Sequence, residues 1–232
     1  MLQQEVSEVG SYFSIIKAIA AGNHKLSTIA SVLEVKSTSL TKYLKTLMDL
    51  DILERRVPVT EENPEKSKRG LYKIKDNYLR FWFAFIYPNM SFIESGHSGI
   101  VMDKIRKGLT TSHIGFVYED ICQERMWELN VNNTWPFQFS KLGGYWDAKN
   151  EIDIAALDPE GKNLILGECK YWKEPVGLNV LHALEAKAGD VAWERDRRKV
   201  WYVLFSISGF SEELRNHAAT RDDLLLIDDR GR

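Results

Sequence analysis

The chain has 232 residues, 44% of them hydrophobic, and a formal net charge of −2, enough apolar material for one large domain or for a small and a medium one. Its two cysteines, Cys122 and Cys169, stand outside any spaced Cys/His cluster, so neither a disulfide framework nor a structural zinc site is supported, and a reducing compartment fits. The opening residues lack the basic and then apolar layout of a signal peptide and the most apolar run, residues 79–87, is too short to span a bilayer, so a soluble, cytoplasmic protein without a membrane partner is expected.

Charge is divided unevenly along the chain. Residues 1–80 hold 13 Lys/Arg against 10 Asp/Glu, whereas residues 81–232 hold 18 against 23, and the mildly basic first part is a weak pointer to a polyanion. Over residues 12–21, Phe13, Ile16, Ile19 and Ala20 recur at helical spacing until Gly22-Asn23 stops the run. A short second helix is predicted from Ser27, an N-cap candidate, through Ile29, Ala30 and Leu33, and Ser37 is a candidate cap for a third that reaches about Leu50. Two helices joined by a short turn suggest a helix-turn-helix. Leu40, Leu44 and Leu47 share one face of the third helix, leaving Lys36, Ser39, Lys42, Tyr43 and Lys45 largely on the other, a polar face that could enter a major groove. Residues 52–59 then read as a strand, 60–69 as a wing tip and 70–74 as the returning strand, so a winged helix-turn-helix domain is expected over residues 1–76. Arg55, Arg56, Lys66, Lys68 and Arg69 on the wing suit phosphates, which position a protein without specifying sequence. The competing view is that such domains also mediate protein contacts and that these cations are only solvated.

In the join, residues 77–110, Tyr78, Phe81, Trp82, Phe83, Phe85 and Tyr87 crowd together. Aromatics at this density predict an interdomain packing helix rather than a platform for bases. After Pro88 the pattern loosens, and Ser95, Gly96, Ser98 and Gly99 mark a linker or loop. Residues 111–232 then form the last region. An amphipathic helix over residues 112–129 turns Ile114, Val117, Ile121 and Cys122 inward, with Glu119 beside them, and strands are predicted around Phe137, at 151–157 and at 164–171. The last two are joined by Asp158-Pro-Glu-Gly-Lys-Asn163, in which Pro sets φ and Gly permits a positive one.

If Leu157 pairs with Leu164 across that turn, Ala155 stands opposite Leu166, Asp153 opposite Glu168, and Glu151 opposite Lys170. Strand alternation puts all of them on one face. Facing carboxylates repel, at up to about 1 kcal/mol for an exposed pair, and a divalent cation between them would offset that; oxygen ligands suit magnesium or manganese. Lys170 is near enough to orient or deprotonate a water, or to steady charge on a phosphate. The other face takes Ile152, Ile154, Ile165, Gly167, Cys169 and Tyr171, which makes Cys169 a core residue and not a nucleophile. On spacing alone, a Glu151–Lys170 salt bridge with Asp153 and Glu168 as rim residues stands level with the metal reading.

The run Glu151-Ile-Asp-Ile-Ala-Ala, followed by Leu166-Gly-Glu-Cys-Lys-Tyr, resembles the Asp…Glu-x-Lys signature of the PD-(D/E)xK nuclease superfamily, with Asp153, Glu168 and Lys170 at the three motif positions. Glu119, in Gly115-Phe-Val-Tyr-Glu-Asp, matches the additional first-helix acid of many members. The resemblance implies an α/β restriction-endonuclease-like αβββαβ core, continued by a helix over 177–187, a strand over 200–206, a short helix after Phe210 and a strand over 224–227, with His182 or Lys187 as an accessory polar residue. The whole chain, and Tyr72-Lys-Ile-Lys-Asp-Asn-Tyr-Leu-Arg-Phe-Trp-Phe most of all, resembles the carboxy-terminal region of archaeal-type (DEXX-box) ATPases, where a winged helix precedes a nuclease-like domain of uncharacterised function. No Gly-x-x-x-x-Gly-Lys-Ser/Thr loop occurs, so an ATPase domain would belong to a longer parent chain or to a partner.

Two functions follow from the resemblance. In the first, a Mg2+- or Mn2+-dependent deoxyribonuclease, Asp153, Glu168 and the Cys169 backbone carbonyl hold the cation, Lys170 assists water attack, and Glu119 orients water or a second ion. The second is a catalytically silent regulatory, DNA-binding or protein-interaction module, to which the acidic second half and the basic run Arg195, Arg197, Arg198 and Lys199 are relevant.

Overall fold

A computed structural model describes the backbone of residues 2–228 and the side chains of residues 10–110 and 113–228. The chain forms two compact units, one of residues 1–57 and 63–113, the other of residues 58–62 and 114–232. Among the described residues no helix is long and apolar enough to cross a membrane.

The first unit begins with α1 (Leu2–Ala20), α2 (Leu26–Val32) and α3 (Ser37–Asp49), followed by the hairpin β1 (Leu53–Arg56) and β2 (Leu71–Ile74). The apolar spacing explains the arrangement. Ile15, Ile16 and Ile19 of α1, Ile29 of α2, and Leu40, Leu44 and Leu47 of α3 all bury in one cluster that Leu53 and Ile74 close from the hairpin, each contributing about 1.5–3 kcal/mol of transfer free energy. The serines predicted as caps do not cap: α2 starts at Leu26 after Lys25 and α3 at Ser37 after Lys36, in both cases without a side-chain cap bond. His24 holds the hairpin instead, its carbonyl accepting from Tyr72 N at 2.8 Å and its Nδ1 lying 3.0 Å from Tyr72 O.

The aromatic segment becomes α4 (Asn77–Phe81), capped by the Asp76 carboxylate, and then a π-helical turn over Trp82–Ile86. Phe13 of α1 meets the Trp82, Phe83 and Tyr87 rings at centroid distances of 6.3, 4.9 and 4.7 Å, so these rings are packing material, but within the first unit rather than between domains as expected. Residues 88–110, expected to be a linker or loop, are instead largely helical, with α5 (Met90–Glu94) and α6 (Ser98–Leu109). Val101 and Ile105 bury against Phe85; of the Ser/Gly pattern, Ser95 and Gly96 lie in the turn between the two helices, where Gly96 takes φ +80°, while Ser98 and Gly99 open α6.

The second unit contains α7 (Gly115–Val131), β3 (Lys141–Trp146), β4 (Glu151–Leu157), β5 (Asn163–Lys170), α8 (Leu178–Ala188), β6 (Lys199–Ser206), α9 (Glu212–Ala218) and β7 (Leu224–Asp228). It is a mixed α/β fold. Its sheet runs β3-β4-β5-β6-β7, antiparallel across the first two pairs and parallel across the last two. Both parallel connections step the same way along the sheet through a helix, and their shared handedness puts α8 and α9 on one face, where Leu181, Leu184 and Leu214 join Leu164, Leu166 and Leu204. On the other face Tyr118, Cys122 and Met126 of α7 meet Ile154, Ile165 and Phe205. Two expectations are corrected here. Ile121 lies half exposed while Tyr118 and Met126 take the inward positions of α7, and the strand expected around Phe137 is irregular chain, with β3 starting at Lys141. Trp135 and Phe139 are buried from that irregular chain, so apolar side chains there signalled burial rather than a strand.

Candidate active site

Asp158 builds the turn between β4 and β5. Its carboxylate accepts from Lys162 N at 3.1 Å and from Asn163 Nδ2 at 2.6 Å, and Gly161 takes φ +70°. The turn sets the register, which runs Leu157↔Leu164, Ala155↔Leu166, Ile154↔Gly167, as the loop length predicts. On its other edge β4 departs from simple alternation. Gly143 pairs with Ala155 but Tyr145 pairs with Ile152, so Asp153 and Ile154 together face Gly144 in a β-bulge. A bulge shifts the alternation by one residue, and for that reason Ile152 joins the α8 face with Ala155 and Leu157 instead of the α7 face with Ile154.

Asp153, at the bulge, turns its carboxylate to β5, where Oδ2 accepts from the Cys169 backbone N–H at 2.8 Å and lies 3.5 Å from Lys170 Nζ. Glu168, buried on β5, holds two lysines: Lys170 Nζ donates to Oε2 at 2.5 Å and Lys187 Nζ, from α8, donates to Oε1 at 2.7 Å. Lys187 also donates to the Glu151 backbone carbonyl at 2.7 Å. Lys170 joins Glu168 to Asp153, whereas the competing reading of the sequence paired it with Glu151.

The electrostatics follow from burial and from these pairings. Burial, and then the Glu168 charge, push the Asp153 carboxyl up to about 6. Burial also pulls Glu168 upward, but the Lys170 charge and the hydrogen bonds from both lysines outweigh it and hold the carboxyl below its ordinary range. For Lys170 burial is likewise outweighed, by Asp153 and Glu168, and its ammonium is held above the usual value. The Cys169 thiol is pushed well up by burial and by the neighbouring Cys122, so it is an inert core group, as alternation implies. Glu119 is half-buried on α7 one turn before Gln123, whose Nε2 donates to the Asp153 carbonyl at 3.4 Å, and its charge reaches Cys169. Of the two accessory candidates, Lys187 enters the cluster while His182 is exposed.

Gly167 allows the strands to close under the bulge. A Cβ there would stand 2.6 Å from Val203 Cγ1 and 2.9 Å from Val203 O, so only glycine fits beside β6. The cluster offers two adjacent carboxylates, one raised to about 6 and one held ionised by two lysines, and a lysine that lies near both. Among the described residues, no group of three or more His, Cys, Asp and Glu side chains gathers to hold a metal, so a cation here would need backbone or solvent oxygens as well.

Residues 82–188 match DUF234, a family described as archaea bacterial proteins of unknown function. That span ends with α8 and includes Asp153, Glu168, Lys170 and Lys187. Over 174 residues, 75% of the chain, the sequence is 40% identical to the uncharacterized protein MJECL04 of Methanocaldococcus jannaschii, and it spans 38% of that protein's length. A repair endonuclease from Pyrococcus abyssi superposes over 44% of each chain with a TM-score of 0.30 and 13% identity, too slight a likeness to carry an assignment.

In the first unit the residues expected to meet nucleic acid divide into two sets. Lys36, Ser39, Lys42, Lys45, Lys68 and Arg69 are exposed, Lys45 in an i,i+4 pair with Asp49 at 2.8 Å. Tyr43 packs edge-on against Tyr12 at 5.1 Å. Arg55 braces the hairpin loop, donating to Pro64 O at 2.8 Å and Ser67 O at 2.5 Å, and Arg56 pairs with Glu54 at 2.6 Å. In the second unit the basic run before β6 is also structural: Arg198 donates to the carbonyls of Ala188, Val191 and Trp193, and Arg195 to that of Asp190.

Proposed function

We propose that the second unit is a restriction-endonuclease-like, PD-(D/E)xK-type domain that hydrolyses phosphodiester bonds of DNA with a divalent metal. The first unit, read as a winged helix-turn-helix, docks the duplex through Lys36, just before α3, and Ser39, Lys42 and Lys45 of α3, with Lys68 and Arg69 of the wing on phosphates. One observation carries this reading: a bulge and a tight turn bring Asp153, Glu168 and Lys170 from two strands into one buried cluster, in which Asp153 is pushed up to about 6 by burial and by the adjacent Glu168 charge. A cation relieves that charge. Asp153, Glu168 and the Cys169 backbone carbonyl fit Mg2+ or Mn2+ as oxygen donors, and either ion, when bound, supplies Lewis acidity to a phosphate oxygen.

The protein's own groups do the rest. Lys170, held protonated by the two carboxylates, turns its ammonium to charge developing on the phosphate and orients the attacking water. Glu119 of α7, whose charge reaches Cys169, is assigned a water or a second ion. Lys187 anchors the far oxygen of Glu168, so that the carboxylate stays fixed as Lys170 moves to substrate.

A second reading is favoured by the same lysines. Glu168 is neutralised on both oxygens without any metal, as in a silent module that binds DNA, or a partner such as an ATPase domain of a longer chain, without cutting. Melting with manganese separates the two. The nuclease reading expects stabilisation of the wild type and no shift for Asp153→Asn; equal shifts in both proteins would remove the site as drawn.

A further inference from the structure

We infer that Trp172 is a stacking platform for an unpaired base, and that it selects DNA with a single-stranded nucleotide beside the bond to be cut. This inference rests on the nuclease reading of the acid/lysine cluster and assigns that site a substrate class.

Trp172 follows β5 two residues after Lys170, and 47% of it is exposed. Among the described residues its ring joins none of the apolar clusters of the unit. Its ring contact is with the site: Lys170 Nζ stands 5.7 Å from the ring centroid while donating to Glu168 Oε2 at 2.5 Å. One ammonium therefore touches both the acidic pair and the indole. A nucleotide whose phosphate lies at the pair has its own base within reach of that ring.

The platform is held in place. Ser208 Oγ donates to the Trp172 carbonyl, and farther along the loop Val176 N donates to Gly209 O at 2.9 Å while Ser211 N donates to Val176 O at 2.9 Å. Two segments leaving the ends of adjacent strands are thus tied together, and the indole is presented from fixed backbone. Trp127 of the same unit is comparably exposed, but its ring packs at a tilt on the buried Phe139 at 5.0 Å. Trp172 is distinguished by its place.

Indole stacking is indifferent to base identity because every base has a π-face, but it requires the base to be unstacked from its neighbours. In a duplex the bases are covered, and an enzyme must extrude one to reach it. A platform next to the reacting phosphate therefore favours single strands, flaps and unpaired positions over continuous duplex. Lys173, exposed beside it, suits the backbone of such a strand.

The test compares wild type, Trp172→Ala and Trp172→Phe for anisotropy-detected binding of a short single-stranded oligonucleotide and of the matching duplex, with calcium replacing magnesium. Trp172→Ala should lose about fivefold or more in single-strand affinity, from the stacking worth of one base, with duplex affinity unchanged and Trp172→Phe close to wild type. Unchanged single-strand binding in Trp172→Ala, or equal losses on both DNAs, would overturn the inference. The two layers fail differently. If magnesium-dependent cutting requires Glu168 and Lys170 while Trp172→Ala keeps the strand preference, only the stacking role falls; if the wild type neither binds nor cuts DNA, the nuclease reading falls and takes the platform with it.

Discussion

Lys187 of α8 reaches Glu168 of β5 at 2.7 Å, on the carboxylate oxygen that Lys170 does not use. The contact ties a helix to the sheet through a buried carboxylate that two lysines hold ionised. Replacing Lys187 by Met leaves Glu168 with a single cationic partner and the Glu151 carbonyl without this donor. The expected result in denaturant titration is a loss of roughly 1–3 kcal/mol, together with lower activity at an intact Lys170. Unchanged stability would show that Lys187 is a solvated surface group.

The pH dependence follows from the same cluster, with the two carboxyls acting in opposite directions. Asp153 has its folded value raised to about 6 from 3.8, so the native state keeps a proton that the unfolded chain releases. The stability this brings is complete below about pH 4 and gone above about pH 6, on the order of 2–3 kcal/mol in all. Glu168, held below 4.5, contributes stability above its ordinary value and loses it on acidification. Asp153→Asn is therefore expected to abolish the decline between about pH 4 and 6 while leaving the acid loss in place. A variant that keeps the decline would assign it to another group.

Gly167 gives a steric prediction. Gly167→Ala drives a Cβ into Val203, side chain and backbone, at 2.6 and 2.9 Å, and should cost about 1–3 kcal/mol. Gly144→Ala, across the bulge, meets its nearest atoms at 3.4 and 3.6 Å, ordinary van der Waals distances. Thermal melting of both proteins checks the contrast, and equal melting temperatures would mean that β5 and β6 are less closely apposed than drawn.

How much of this is legible in the sequence depends on what each residue needs. The β4–β5 register is written in the Asp158 to Asn163 turn, because loop length and the Gly161 conformation leave one pairing that buries Leu157, Leu164 and Leu166 together. The bulge at Asp153 is not legible, since alternation alone assigns Ile152 to the wrong face, and only the pairing with β3 shows two residues against Gly144. β3 itself, Lys141–Trp146, carries two glycines that weaken a strand signal, while the irregular chain before it is rich in buried aromatics that imitate one. Helices α5 and α6 hide behind Ser95, Gly96, Ser98 and Gly99, of which only the first pair belongs to the connection while the second opens α6. Trp172 has no periodic signal; its meaning comes from Lys170 standing against its ring.

Docking of the first unit predicts a salt dependence. Lys36 and Lys68 are exposed, whereas Arg55 spends its guanidinium on Pro64 and Ser67. Lys36→Ala and Lys68→Ala should each lower the slope of log affinity against log salt by about one for a duplex ligand, with melting unchanged. Arg55→Ala should act mainly on stability. Slopes unaltered by both lysine variants would contradict docking through α3 and the wing.

Cleavage is the most direct test of the central claim. Linear, branched and single-stranded DNAs are incubated with magnesium or manganese and either wild type or a Glu168→Ala/Lys170→Ala double variant purified identically. Metal-dependent cutting by the wild type, absent from the double variant, is the expected result. Equal cutting by both proteins, or none by either under any condition, would contradict it and leave the second unit as a silent binding module.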